Sequence, residues 1–310
     1  MEDKQINKWL RRRFSVLGWG LLGYLAVMNV LVMLSMALNW LRQSFYLGSA
    51  DALTEDGWGY LLTIAVGAVV AYTWKGGDFW KAQLLPQKRR MEGFSLFCLL
   101  CLCVGAQFVN GLWVSLLEWG MNLFGSSLLP MLEQTSGAAG SGSMYLYACV
   151  AGPIWEELLF RGLILGSLRP FGKCFAILGS AILFGAFHGN LLQAPFALAL
   201  GLVFGYVTVE YGILWAMGLH LFNNLVLADL LSRVTSLLPT AVASFFTGGL
   251  MLTLALCAGA ILLCRRREIQ DYRQSQWIDR RCLKCFFTNS GILAFLIVTG
   301  ISMIALLVTL

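Results

Sequence analysis

Charged residues are scarce in this chain. Asp, Glu, Lys and Arg together make up 12% of the 310 residues, whereas a soluble globular domain carries about 25%. Hydrophobic residues make up 58%, and the mean hydropathy is +0.74. This composition excludes an ordinary soluble domain and indicates a polytopic membrane protein. The apolar runs are far longer than barrel strands and do not alternate, so the sequence predicts an all-α membrane helical bundle.

Several motifs of soluble enzymes are missing as well. The chain has no GxSxG, no HExxH and no nucleotide-binding glycine loop. Five of the nine cysteines lie within apolar runs, where they act as small hydrophobic residues. Cys282 and Cys285 form a single CxxC in a basic loop that offers no second pair and no histidine, so this pair does not predict a zinc site.

The apolar runs predict about eight or nine transmembrane helices. The range of eight or nine reflects the fifth to seventh runs, which are short and closely spaced. The nine predicted spans cover residues 14–38, 58–74, 94–117, 144–168, 174–191, 193–209, 213–231, 241–264 and 291–310.

The distribution of Lys and Arg predicts the orientation of these spans. If the N-terminus is cytoplasmic, the basic loops after the second, fourth and eighth spans all face the cytoplasm, and the outer loops keep only Arg42 and Arg233. The net charge of +6 is therefore explained by loop placement, and nucleic acid is not expected as a partner. The expected surroundings are the lipid bilayer of a bacterial plasma membrane, crossed several times.

Three charged residues interrupt the fourth apolar span, and their presence there predicts a functional site. A charge inside a membrane costs at least about 2.5 kcal/mol and usually faces the protein interior. Glu157 and Arg161 are four residues apart on one helix face, so they can form an ion pair. Glu156 points about 100° away and is a candidate general base. The alternative is that all three charges form a structural cluster that holds helices together.

The two histidines of the chain both follow the glutamates and lie in apolar spans. Glu156 with His188 could hold and deprotonate a water molecule. His220 and Asn224 share a helix face, whereas Asn223 is expected to point elsewhere. An imidazole beside an amide can stabilise a developing oxyanion. These residues suit peptide hydrolysis without a covalent intermediate.

Three other interpretations use the same sequence features, and one of them is a non-catalytic scaffold or pseudoprotease that binds partner helices. Glu156, His188 and His220 are also acceptable zinc ligands by type, and in that case the metal would acidify the water. A proton-coupled transporter could use the buried Glu and His as a relay, although the sequence shows no internal repeat of the kind common in carriers. Ligand type alone leaves these alternatives open.

Taken together, these residues resemble the three motifs of the CAAX-protease and bacteriocin-processing family (CPBP, also called Abi). The matching motifs are Glu156-Glu157-x-x-x-Arg161, Phe184-x-x-x-His188 and His220-x-x-x-Asn224. The resemblance implies an intramembrane endopeptidase with a CPBP-type core at 144–231, preceded by three spans within 1–143 and followed by two within 232–310.

The resemblance also implies a role for each motif residue. Glu156 would activate water with help from His188, His220 and Asn224 would form the oxyanion site, and Glu157 and Arg161 would be supporting residues. No cofactor is favoured, and zinc stays an alternative. The implied substrate is a membrane-embedded or amphipathic peptide, and bacteriocin processing or self-immunity is an expected biological role.

Overall fold

The computed structural model describes residues 2–45, 57–85, 89–128, 141–276 and 279–308, and these residues form helices and connecting turns without a β-strand. The helices, numbered in chain order, are α1 (Glu2–Phe45), α2 (Trp58–Lys75), α3 (Gly77–Leu84), α4 (Gly93–Asn122), α5 (142–168), α6 (Lys173–Phe187), α7 (Ala194–Glu210), α8 (Ile213–Ser236), α9 (Thr240–Cys264), α10 (Arg266–Ser275), α11 (Arg280–Phe287) and α12 (Ser290–Val308). The predicted all-α architecture is confirmed.

Five of the described helices are long and apolar enough to cross a membrane: α1, α4, α8, α9 and α12. Each of the other four predicted spans also falls largely on a helix, but the count of eight or nine crossings is not confirmed by these helices. The last two residues of the ninth predicted span lie outside the described residues. The fifth span ends earlier than predicted, because Gly189 adopts φ +57° and turns the chain after His188.

Small residues bring α1 and α12 into close contact. A side chain on Gly18 would overlap the backbone of Gly291, and one on Gly291 would overlap the carbonyl of Ser15. The hydroxyls of Ser15 and Ser290 lie 3.4 Å apart. Close backbone approach through small residues is a common way for helices to associate in lipid, so the first and last described helices are neighbours.

An aromatic cluster fills the space beside this contact. Phe14 packs against Phe171, Phe175 and Phe286 with ring centroids 5.2 to 5.6 Å apart. Phe14 and Phe286 are fully buried. The cluster therefore joins α1 and α11 to α6, which begins the segment that carries the histidines.

The α6–α7 hairpin is packed through glycine. A Cβ on Gly201 would come within 2.9 Å of the backbone of Ala181, and one on Gly205 within 3.1 Å of Ile177. This close approach brings the buried rings of Phe184 on α6 and Phe204 on α7 to the same region of the bundle.

A polar contact closes one end of the hairpin. The Lys173 ammonium lies 2.9 Å from Glu210 Oε1, and the Tyr272 hydroxyl donates to the same oxygen at 2.8 Å. Burial raises the pKa of the Glu210 carboxyl, but the hydrogen bonds from Lys173 and Tyr272 and the charges of Lys173 and Arg89 outweigh burial and lower it. This contact fixes α10 to the ends of α6 and α7.

Candidate active site

The helix that carries the two glutamates is not a uniform α-helix. Wider π-helical turns cover Tyr147–Ala151 and Leu158–Leu165, on either side of the α-helical segment Gly152–Glu157. The backbone N–H of Gly152 donates to the carbonyl of Tyr147, five residues earlier. A Cβ at Gly152 would lie 2.7 Å from that carbonyl oxygen. π-turns are frequent at functional sites, and these two flank Glu156 and Glu157.

Glu157 and Arg161 form the ion pair that their spacing predicts. Arg161 Nη1 lies 3.0 Å from Glu157 Oε1, and both side chains are fully buried. The guanidinium also lies 4.2 Å from the ring centroid of Phe184 and 5.4 Å from that of Phe204. The cation is therefore enclosed by one carboxylate and two aromatic rings, each of which attracts positive charge.

His220 lies between the two glutamates. Its Nδ1 is 2.9 Å from Glu157 Oε1, and its Nε2 is 3.8 Å from Glu156 Oε2. The first distance is a hydrogen bond, so in the neutral ring Nδ1–H donates to Glu157 and the lone pair of Nε2 faces Glu156. The second distance exceeds a hydrogen bond, but one water molecule beside the two atoms can reach both at about 2.8 Å.

Glu156 is the more accessible of the two carboxylates. Its side chain is 19% exposed, whereas the side chain of Glu157 is completely buried. Glu157 is already engaged by Arg161 and His220. Glu156 therefore has the free acceptor capacity that a general base needs, and Glu157 has the geometry of a residue that orients His220.

His188 follows directly after α6 and is oriented by its own helix. Its Nδ1 lies 2.9 Å from the carbonyl oxygen of Phe184, and its ring packs edge-on against the Phe184 ring at 4.9 Å. The Phe184 ring is also 6.0 Å from the His220 ring, so this aromatic residue lies between the two histidines. Among the described residues, the ion-pair contact of Glu156 is with His220, and the expectation that Glu156 and His188 hold a water molecule stays a prediction.

Asn224 connects the third motif to the glutamate helix. Its Nδ2 donates to the carbonyl oxygen of Ala148 at 3.0 Å, a carbonyl in the first π-turn of α5. An asparagine amide has two N–H donors, so one donor stays available to a ligand. This hydrogen bond holds Asn224, which lies on α8, against α5, the helix that carries Glu156.

Asn223 also belongs to this polar region, although its helical position suggested that it points elsewhere. It is buried, and its Nδ2 donates to Asn224 Oδ1 at 3.0 Å. The reason is that Phe222–Leu230 forms a third π-turn, so the α-helical angle between neighbouring residues does not apply there. A second amide beside Asn224 in an apolar span is the signal in the sequence for this role.

Phe204 is a further residue of the site that the motifs do not include. Its buried ring is tilted by 34° over the His220 ring, with centroids 5.2 Å apart, and it also faces Arg161. Phe204 therefore restrains both the His220 ring and the guanidinium of Arg161, which neutralises Glu157. No sequence signal singles it out within the uniformly apolar α7.

The zinc alternative requires three converging ligands. The 3.8 Å separation of Glu156 Oε2 and His220 Nε2 is close to the spacing of two ligands on one zinc ion. Across the part of the chain that the structure describes, however, no three His, Cys, Asp or Glu side chains form a group that could hold a metal. His188 does not complete the set in this arrangement, so the three residues do not fit a zinc site as they stand.

The helices and this buried polar cluster define a multi-pass membrane protein with charged groups inside its bundle. Residues 139–226 match a family model described as Rce1-like, type II CAAX prenyl endopeptidase. The match confirms the resemblance to the CAAX-protease family, and it covers α5 to α8 up to Val226, which includes all three motifs. It supports protease activity in general. No curated protein and no solved structure matches the chain significantly.

Proposed function

We propose that the protein is an intramembrane endopeptidase of the glutamate type, in which Glu156 activates the attacking water. The observation that carries the proposal is the placement of His220 between Glu156 and Glu157, at 3.8 and 2.9 Å. A carboxylate beside an imidazole that a second carboxylate orients is a suitable arrangement for general base catalysis.

In this mechanism Glu156 accepts a proton from a water molecule bound beside it and His220. The resulting hydroxide attacks the scissile carbonyl carbon, and the C=O bond becomes an oxyanion. The free N–H of Asn224 donates to this oxyanion, and His220 donates from Nε2 when both of its ring nitrogens carry a proton. Glu156 then transfers its proton to the leaving amine as the C–N bond breaks. His188 assists in holding the water, and Glu157 and Arg161 support His220.

An apolar cavity next to the site supports a membrane-associated substrate. The cavity measures about 310 Å³ and lies between α1, α2 and α5, with Trp155 among its lining residues. The Trp155 Nε1 donates to the Tyr24 hydroxyl at 2.7 Å, and Glu156 is the next residue in the chain. The apolar anchor of a peptide, whether a side chain or a covalently attached lipid, would fit this cavity while its peptide bond lies at Glu156.

The cellular setting belongs to the same proposal. The predicted eight or nine crossings and a cytoplasmic N-terminus agree with the loop charges, and a bacterial plasma membrane is the proposed location. A role in bacteriocin processing or self-immunity rests on the family resemblance. A deletion strain whose sensitivity to antimicrobial peptides is unchanged would contradict that role without affecting the proposed chemistry.

The test is cleavage of a library of membrane-anchored peptides by the purified protein in lipid. Glu156→Gln keeps the shape of the side chain and removes the base, so we expect cleavage to fall at least about 100-fold while expression and folding are retained. Glu92→Gln, which changes an exposed glutamate at the start of α4, is the matched control and should cleave normally. Full activity of Glu156→Gln would refute the proposal.

A chelator arm separates the glutamate mechanism from the zinc alternative. The glutamate mechanism predicts equal cleavage with and without a strong chelator. Loss of cleavage on chelation, with recovery on addition of zinc, would instead make Glu156, His188 and His220 candidate metal ligands.

A further inference from the structure

One end of the bundle carries a short amphipathic helix with a basic outer side. In α11, Cys282, Cys285 and Phe286 are buried, whereas Arg280 and Lys284 are exposed. The Asp279 carboxylate accepts the backbone N–H of Arg281 at 2.8 Å and begins the helix. The helix is therefore fixed by its inner side and presents positive charge outward.

The first turns of α1 lie beside this helix. Arg11 Nη1 donates to the carbonyl oxygen of Thr288 at 3.0 Å, just after α11 ends, and the Cys285 thiol is 3.8 Å from Asn7 Oδ1. On the α1 helix Lys8 and Arg12 lie on the flank next to Arg11, and both are exposed. The inner side of α1 is instead formed by Leu10 and neighbouring apolar residues.

These basic residues lie at the level where the membrane helices begin. The apolar run of α1 starts at Phe14 and α12 starts at Ser290. The 3.4 Å contact between Ser15 and Ser290 places the start of the apolar run of α1 beside the start of α12. Trp9, which is 48% exposed, marks the same level, because tryptophan favours the membrane–water interface.

We infer that Lys8, Arg11, Arg12, Arg280 and Lys284 form a binding surface for anionic phospholipid headgroups. This group is called the basic surface below. A phosphodiester offers anionic oxygens that accept hydrogen bonds from guanidinium and ammonium groups, and the basic surface lies at headgroup depth. Each basic residue near an anionic membrane surface strengthens binding about fivefold. The inference does not depend on the proposed protease activity.

The test compares two triple variants of the full-length protein that lose the same charge. Lys8→Gln/Arg12→Gln/Lys284→Gln alters the basic surface and leaves Arg11, which holds the backbone of Thr288. Arg266→Gln/Arg267→Gln/Arg273→Gln is the control, because these residues are equally exposed and lie on α10. The measurement is the apparent affinity for phosphatidylglycerol relative to phosphatidylcholine, obtained by native mass spectrometry from a neutral detergent.

The native protein should retain phosphatidylglycerol selectively. The first triple variant should lose about 100-fold in affinity, from about fivefold for each residue. The control arginines follow directly after α9 and attract anionic lipid without belonging to the basic surface, so the control should lose less than about tenfold. Thermal unfolding in phosphatidylcholine nanodiscs should be the same for all three proteins, since the altered side chains are exposed.

Three results would overturn the inference. Equal retention of the two lipids by the native protein would show that it does not select phosphatidylglycerol. Equal losses of phosphatidylglycerol affinity in the two triple variants would show only a general attraction between basic loops and anionic lipid. Binding of a short RNA to the native protein in phosphatidylcholine nanodiscs, lost in the first variant, would assign the basic surface to nucleic acid.

Discussion

Arg161 provides a test of the electrostatic balance inside the bundle. Arg161→Met removes the cation but keeps a side chain of similar length between Phe184 and Phe204. The variant leaves Glu157 as a fully buried carboxylate whose remaining partner is His220. Breaking a buried ion pair by removing one member costs about 3–5 kcal/mol. Because His220 still donates to Glu157, we expect the lower end, about 3 kcal/mol, which is a change of more than about 100-fold in the unfolding equilibrium.

The same reasoning predicts how a double variant behaves. Glu157→Gln alone leaves a buried guanidinium without its counter-ion and should cost a similar amount. Glu157→Gln/Arg161→Met removes both charges, and replacement of a whole buried pair by uncharged residues is often nearly neutral. We therefore expect the double variant to lose about 1–2 kcal/mol, so the two sites should show a coupling energy of about 4 kcal/mol.

The assay is reversible unfolding in mixed micelles, with helix content measured as the denaturing detergent is increased. Leu165→Met, a volume-conserving change at a buried position one turn later in α5, is the matched control and should cost less than about 1.5 kcal/mol. The reasoning would be refuted if Arg161→Met were within about 1 kcal/mol of the native protein. It would also be refuted if the loss in free energy of unfolding in the double variant equalled the sum of the losses in the two single variants.

Two further variants test the packing and the charge contacts of the bundle. Gly18→Leu should separate α1 from α12 and lower stability by at least about 2 kcal/mol, whereas Gly111→Leu, where a side chain would meet open space, should not; equal melting temperatures of the two variants would contradict the contact. Glu210→Gln should reduce the acid sensitivity of folding. The folded pKa of Glu210 is below its ordinary value of 4.5, so its stabilisation is present above the unfolded pKa and is lost as the pH falls through the folded value. Melting measured from pH 7 to pH 3 should therefore decline more steeply for the native protein, and parallel curves would be inconsistent with this.

The spacing of residues predicted part of the site correctly. Glu157 and Arg161 are four residues apart on a helix, and they form an ion pair at 3.0 Å. The same rule could not show that Glu157 also binds His220, because that partner is 63 residues away and its approach depends on how α5 and α8 pack. The sequence therefore predicted the ion pair within one helix, and tertiary packing determined the contacts between residues of different helices.

Departures from regular helix geometry and the lack of a periodic signal account for the two residues of the site that the sequence did not predict. Asn223 was expected to point away from Asn224, but it donates to Asn224 within a π-turn. Local sequence contains little information on where an α-helix widens. Phe204 lies on a helix that is apolar on all sides, so no periodic signal separates the residue that faces His220 from its neighbours.

The contact between α1 and α12 has a consequence for biosynthesis. Ser15 and Ser290 are 275 positions apart in the chain, and translation adds about 5–20 residues per second. The face of α1 around Gly18 is therefore without its partner helix for on the order of 15–55 s during synthesis. During that time the small residues on this face are open to lipid or to another nascent chain. The bundle can close only when α12 has entered the membrane, so completion of the fold coincides with the end of synthesis of the described helices.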